Sequence, residues 1–451
     1  MRLPVLDRRR AGVLLPMSAL DAALGRGGRA FIDWLASAGF TVWQILPAGP
    51  VGEDRSPYWV RSDCAGNPEF LDREELPDPA APIDPEFLAT SSPWLRDYAL
   101  FEASTRAHGG APFWKWPPQL RDRETQALVR AGTEFADEVT RIEREQYAFH
   151  LQWDRLRTHA LSRGVRLFGD LPFYVGPSSV ETWTHRELFQ LTPDGEPAVV
   201  GGVPPDYFST TGQLWGNPVY DWQAHRRTDF AWWLARIRAQ LARMDLLRID
   251  HFRALAAYWA VPGGSPDARG GAWKASPGEL LLRRIQEEFS DLPLVAEDLG
   301  VITEDVRALM HGFAIPGMRV LQFAFEGGPD NPHLPYLLER SCVVYTGTHD
   351  NDTTLGWYRS LDRDAAQRVD FFLRATADVM PEALIRAALV SVARLAVVPA
   401  QDLLGLDSAA RLNTPGTVSR NWTWRLPPGA LTEELARRFA RLNHAFGRVP
   451  A

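Results

Sequence analysis

Eight short apolar runs, each ending in a polar or turn-forming cluster, recur along this chain of 451 residues and restrict its fold more than any other feature. They read Gly12 to Pro16, Thr41 to Pro47, Val165 to Asp170, Leu246 to Phe252, Leu294 to Asp298, Met318 to Phe323, Val343 to Asp350 and Leu395 to Asp402. Between them lie segments of helical period, among them 29–38, 146–163, 229–243, 278–289, 303–311 and 382–393, and the last segment, 432–446, would be the eighth outer helix. Strand and helix alternating eight times predict an α/β TIM (β/α)8 barrel, whose active site is built from the loops that follow the strands. Nothing after residue 446 is long enough for a C-terminal β-domain.

Two intervals exceed what a simple connection needs. Residues 48–164, after strand 2, hold a Pro- and Trp-rich stretch (Pro93-Trp94, Phe113-Trp114-Lys115-Trp116-Pro117-Pro118) and then a long helical pattern. They read as a mostly helical or irregular insertion. Residues 171–228, after strand 3, read as a loop insertion forming part of the substrate cleft. The expectation is one catalytic domain over 1–451 with these two insertions.

A formal net charge of -7 argues against a sequence-independent grip on nucleic acid. Cys64 and Cys342 are the only cysteines, which rules out a disulfide framework and a thiolate metal cluster and suits a reducing compartment. The N-terminal stretch has no signal-peptide pattern and no run of about 18 apolar residues could span a membrane, so a cytoplasmic protein with no membrane partner is expected. Of the 17 tryptophans, those beside Gly and Pro in loops are flat apolar platforms suited to the apolar face of a sugar ring. The oligomeric state is not legible.

The chemistry concentrates in Arg248-Ile249-Asp250-His251, where an apolar run ends in an arginine, a carboxylate and an imidazole. Arg248 and Asp250 share a strand face, which pairs the carboxylate with positive charge and makes it a nucleophile or a metal ligand. Glu297 and Asp350 end two other strands, and barrel strand ends converge on one cavity. A carboxylate beside an arginine together with a protonated carboxyl in a drier setting is the equipment of glycosidic cleavage through a covalent intermediate. Asp250 would attack the anomeric carbon, Glu297 would protonate the leaving oxygen, and Asp350 would hold sugar hydroxyls. A lone Asp at a strand end is more often a cap or turn former; four acidic strand ends, Asp170 included, in one barrel weaken that reading. Metal binding by His251 and His349 with the acids, and Mg²⁺ binding by Glu297-Asp298, stay open, although no His-Glu-x-x-His motif is present. Neither a phosphate-cradling glycine loop nor a Gly-x-Ser-x-Gly elbow occurs.

At these residues the chain resembles the amylomaltases, the 4-α-glucanotransferases of glycoside hydrolase family 77 in the α-amylase superfamily. The resemblance runs from Trp43-Gln44-Ile45-Leu46-Pro47 to Asn421-Trp422. It includes Gly169-Asp170-Leu171-Pro172, Gly202-Val203-Pro204-Pro205-Asp206-Tyr207-Phe208, Gly212-Gln213-Leu214-Trp215-Gly216-Asn217-Pro218, Ala296-Glu297-Asp298-Leu299-Gly300, the run from Thr346 to Thr353, and Leu412-Asn413-Thr414-Pro415-Gly416. It implies Asp250 as nucleophile, Glu297 as general acid/base and Asp350 as transition-state stabiliser. Tyr58, Asp170, Asp206, Trp215, Arg248, His349 and Asn413 match positions that line the family's donor subsites. It further implies transfer of an α-1,4-glucan segment between maltooligosaccharides, with retention and with no cofactor or metal. The carboxylates by themselves also fit an α-glucan hydrolase, a transferase with an altered acceptor, or a catalytically weak glycan-binding protein.

The chain departs from the family pattern near Tyr58. Where the family usually reads Gly-Tyr-Gly-Asp-Ser-Pro-Tyr-Gln, this chain has Gly52-Glu53-Asp54-Arg55-Ser56-Pro57-Tyr58-Trp59. The N-terminal turn is shortened to Met17 to Gly28, Phe252-Arg253-Ala254-Leu255 replaces Phe-Arg-Gly-Phe, and Lys274-Ala275-Ser276-Pro277-Gly278 replaces a Lys-Gly-Pro-Gly-like loop. Gly176-Pro177-Ser178-Ser179 lacks a common aspartate. The changes gather on the acceptor side and the glucan-binding rim.

Overall fold

The computed structural model describes residues 5–205, 209–374, 376–417 and 419–449. Twelve strands occur among them: β1 (Arg10–Leu14), β2 (Val42–Gln44), β3 (Arg166–Leu171), β4 (Val199–Val203), β5 (Gln213–Pro218), β6 (Leu246–Ile249), β7 (Ala257–Pro262), β8 (Ala272–Ala275), β9 (Leu294–Ala296), β10 (Gly317–Val320), β11 (Cys342–Tyr345) and β12 (Leu395–Pro399). Eight form one parallel sheet in the order β10-β11-β12-β1-β2-β3-β6-β9. The end strands β9 and β10 meet where Ala296 N–H donates to Pro316 O at 2.8 Å and the Asp298 carboxylate accepts Met318 N–H at 2.6 Å. That closes the sheet into the expected barrel, with helices packed outside.

The alternation of strand side chains divides the core in two. Leu14, Val42, Phe168, Leu246, Val295, Met318, Val320, Val343, Tyr345, Leu395 and Val397 fill the barrel interior. Their strand neighbours, such as Val13, Trp43, Leu167, Leu247, Leu294, Val344 and Val398, face the helices. A run apolar at every position is what burial on both faces demands. The helix Glu433–Ala445, capped by the Thr432 hydroxyl accepting from Leu435 N–H, packs Phe439 against Phe40 at 5.7 Å and completes the outer ring.

In the interval 48–164 the structure has helices Pro85–Ser91, Leu95–Ala107, Thr125–Glu134 and Ala136–Ser162. The last helix is shared. Val139 and Ile142 in its first half join an apolar cluster with Phe101, Phe113, Trp116 and Trp183; Phe149, Trp153, Leu156 and Ala160 in its second half belong to the main core. One rigid element thus carries the insertion and pins it to the barrel.

A second, four-stranded antiparallel sheet, in the order β5-β4-β7-β8, stands over the barrel mouth. Two of its strands come from the interval after β3 and two from the connection after β6, so the β6 connection is a third elaboration that the sequence reading did not anticipate. The sequence hides this sheet for a physical reason. β4 reads Val-Val-Gly-Gly-Val, β5 contains Gly216 and ends in Pro218, and β8 is exposed throughout, so none shows the continuous or alternating apolar pattern of a buried strand. No helix among the described residues is long and apolar enough to cross a membrane, and Cys64 and Cys342 are free thiols.

Arg448 closes the barrel base. Its fully buried guanidinium donates to Leu389 O at 2.8 Å, Arg10 O at 3.0 Å, Ala393 O at 2.7 Å, and Ala388 O and Ser391 O at 3.1 Å each. It thereby ties β1 to the carbonyl-rich end of the helix Glu382–Val390. Arg448→Met removes those donors and strands several buried carbonyls, so it is expected to lower stability by about 3 kcal/mol. The check is the midpoint of urea unfolding; an unchanged midpoint would show that water replaces the guanidinium at no cost.

Candidate active site

The site grows out of the two-residue period of β6. Leu246 lies in the barrel interior; two residues on, Arg248 faces the same way; two further, Asp250 stands at the mouth. In the neighbouring strands Asp170 of β3 and Val295 of β9 are both in register with Arg248, and Glu297 follows two residues after Val295. The apolar interior therefore ends in a layer of charge.

Arg248 organises that layer. Its Nη1 donates to both Asp170 oxygens at 2.7 Å, and its Nη2 donates to Asp250 Oδ1 at 2.7 Å. Asp170 is buried and takes a third bond from the Tyr58 hydroxyl at 2.7 Å. Burial pushes the Asp170 carboxyl upward while the adjacent Arg248 charge pulls it back. Burial also works against the Arg248 cation, yet the carboxylates of Asp170 and Asp250 outweigh it and hold the guanidinium well above its ordinary value.

Glu297 has a different setting. Its Oε2 accepts the His251 backbone N–H at 2.8 Å and its Oε1 accepts Leu299 N–H at 3.0 Å. Desolvation pushes its carboxyl up to about 7, Arg248 opposes this, and the Asp250 charge adds to the rise. His251 delivers its N–H from a left-handed conformation, φ 50° and ψ 46°, which costs a non-glycine residue about 1–3 kcal/mol. Its imidazole is pulled down to about 4 by desolvation and is neutral near pH 7. That ring meets Trp215 edge-on at 4.7 Å.

Asp350 follows β11 in the loop opposite. Asn413 Nδ2 donates to its Oδ1 at 2.6 Å, Arg411 donates to its backbone carbonyl at 2.6 Å, and His349 Nε2 lies 3.4 Å from Oδ2. The His349 ring stacks on Tyr58 at 5.1 Å and Trp422 closes the group at 5.9 Å from His349. With 45% of its side chain exposed, Asp350 presents its free edge to the cleft.

The structure thus brings Tyr58, Asp170, Arg248 and Asp250 into one bonded chain, joins Asp350, His349 and Asn413 into a second group through the Tyr58 ring, and sets Trp215 against His251. Asp206 lies outside the described residues. Trp422, Arg411 and the backbone donors of His251 and Leu299 are additions to the residues singled out from sequence. Trp422 had a signal in the Asn421-Trp422 motif; the His251 turn had none, since histidine does not announce a left-handed backbone as glycine does.

The Mg²⁺ reading of Glu297-Asp298 does not fit the backbone, because consecutive residues diverge. Asp298 turns to Arg319 at 2.8 Å and to Met318 N–H, and Gly317 makes room for it: a Cβ there would come within 2.5 Å of Asp298 Oδ2. Among the described residues no three His, Cys, Asp or Glu side chains converge as a metal-holding group.

The 4-alpha-glucanotransferase family, glycoside hydrolase family 77, matches residues 21–84 and 80–432. A Thermus thermophilus protein named 4-alpha-glucanotransferase is 42% identical over 98% of this chain and 99% of its own length. A Synechocystis protein of the same name is 40% identical over 98% and 99%. The solved structure of an amylomaltase from Streptococcus agalactiae in complex with acarbose superposes with a TM-score of 0.91 at 31% identity, covering 98% of this chain and all of that one. By sequence over nearly its full length, and by a barrel that superposes end to end, the chain belongs to the 4-α-glucanotransferase family, glycoside hydrolase family 77.

Proposed function

We propose that this enzyme moves α-1,4-linked glucan segments from one maltodextrin to the 4-hydroxyl of another, or of glucose, by double displacement at Asp250 and Glu297. The observation that carries the mechanism is the asymmetry of the two carboxyls: Asp250 is bonded to a guanidinium, and Glu297 is pushed up to about 7 by desolvation. In the first step the Asp250 carboxylate attacks the anomeric carbon while Glu297 gives its proton to the departing oxygen, leaving a glucosyl ester on Asp250. In the second, Glu297, now ionised, takes the proton of the incoming sugar hydroxyl, which displaces Asp250 and restores the original configuration.

Arg248 has two tasks in this scheme. It orients Asp250 for attack, and it fixes Asp170, which with Tyr58 and His349 would grip hydroxyls of the reacting sugar. Asp350, steered by Asn413, supplies negative charge as the oxocarbenium-like state develops. We take the reaction to run in the cytoplasm, a reducing compartment that two unpaired cysteines suit, on maltooligosaccharides and without a cofactor.

Two measurements test this reading. Incubation with maltotriose alone is expected to give glucose and a ladder of longer maltodextrins, and Asp250→Asn to lower that rate by on the order of 10⁴-fold. Glucose and maltose without longer chains would instead identify a hydrolase. The pH dependence follows from Glu297: it must be protonated in the first step, so kcat/KM should hold below about pH 7 and fall tenfold per unit above it. A pH profile whose alkaline limb begins near pH 5 would assign the proton to another group.

A further inference from the structure

Trp59 is held against β5 by interactions that the scheme above does not use. It follows Tyr58, yet the two side chains part: Tyr58 reaches Asp170 and His349, whereas the Trp59 indole N–H donates to Asn217 Oδ1 on β5 at 3.2 Å. Asn217 is itself buried and anchored, its Nδ2 donating to Val175 O at 2.7 Å. Beside it, Gly216 presents bare backbone at φ 77°, and a Cβ there would meet the indole at 3.5 Å. The ring is therefore oriented by a hydrogen bond to an anchored partner, and the bare backbone of Gly216 leaves room beside it. Even so, Trp59 is 40% exposed, unlike Trp43, Trp183 and Trp233, which are fully buried in the cores.

An aromatic ring held rigidly while much of it faces water is spent on binding rather than on stability. Its surroundings say what it binds. Two residues earlier on β5, Trp215 meets His251, the residue after Asp250, so the strand that anchors Trp59 also reaches the nucleophile's neighbour. Glu53, Asp54 and Arg55 in the same loop are exposed and charged, leaving the indole as the apolar surface of that rim. A pyranose has one apolar C–H face and a belt of hydroxyls, which suits a fixed ring with polar neighbours.

We propose that Trp59 is a sugar-stacking residue that binds a glucose unit away from the cleaved bond and sets the chain-length preference of this enzyme. The proposal rests on the glucan-transfer reading above. A remote subsite is filled only by longer chains, so its contribution grows with substrate length.

The test uses the full chain carrying Trp59→Gln or Trp59→Phe, assayed with maltotriose and with maltoheptaose, alongside calorimetric titration of maltoheptaose into Asp250→Asn with and without Trp59→Gln. Trp59→Gln is expected to raise KM for maltoheptaose roughly tenfold, with the loss on KM rather than kcat and a smaller change for maltotriose. The same change should weaken maltoheptaose binding by a similar factor, and Trp59→Phe should restore most of both. Equal effects on the two substrates, an unaltered dissociation constant, or Phe performing no better than Gln would overturn the proposal. Failure of the unsubstituted chain to lengthen maltotriose would refute the transfer reading instead, while the titration would still decide Trp59.

Discussion

The Arg248 guanidinium, buried at the top of the barrel interior, touches two carboxylates, Asp170 and Asp250, and this contact conditions the rest of the site. Removing a charge from water costs several kcal/mol per ion, and the cost is offset only when geometry and hydrogen bonding are complete. Arg248 alone cannot complete the shell of Asp170. The third donor, the Tyr58 hydroxyl, arrives from the long interval after β2. The insertion is thus bound to the barrel by the electrostatic needs of the charged layer as well as by the shared helix Ala136–Ser162.

A second buried cation repeats the device one layer outward. Arg236, on the helix Ala231–Arg243, lies 2.7 Å from Asp63 and donates to Pro172 O at 2.7 Å and Phe173 O at 3.0 Å. Asp63 follows Tyr58 by five residues and Pro172 follows Asp170 by two. One guanidinium therefore clamps the loop carrying Tyr58 to the chain that continues from β3, next to the Tyr58 to Asp170 bond. Trp232 and Trp233 cover it at 5.4 and 4.9 Å from their ring centroids, adding cation–π attraction where water is excluded. The relative placement of Tyr58 and Asp170 is over-determined, the preorganisation that the proposed transition-state site would require.

What was legible in the sequence followed from periodicity. Strands buried on both faces announce themselves as unbroken apolar runs, so all eight barrel strands and the acids at their ends could be read, and the i, i+2 rule put Arg248 and Asp250 on one face in advance. The antiparallel sheet could not be read, because β4, β5 and β8 carry glycines, a proline or exposed positions, and β7, though apolar, does not name its partners. Side-chain partners across loops, such as Asn413 to Asp350 or Trp59 to Asn217, depend on where two distant turns fall in space. No local pattern encodes that.

Glu297 and Asp298 show how much a single step along a strand decides. The two acids are adjacent and both desolvated, but the backbone leaving β9 turns their side chains to different partners. Asp298 finds Arg319 and becomes part of the β9 to β10 seam. Glu297 finds two backbone N–H groups and the field of Asp250. Neutral donors stabilise a carboxylate less than a guanidinium does, so Glu297 retains its proton to higher pH while remaining fixed in position. The turn at His251 supplies one of those donors, so the acid is oriented by neutral N–H groups rather than by a bond to a full positive charge.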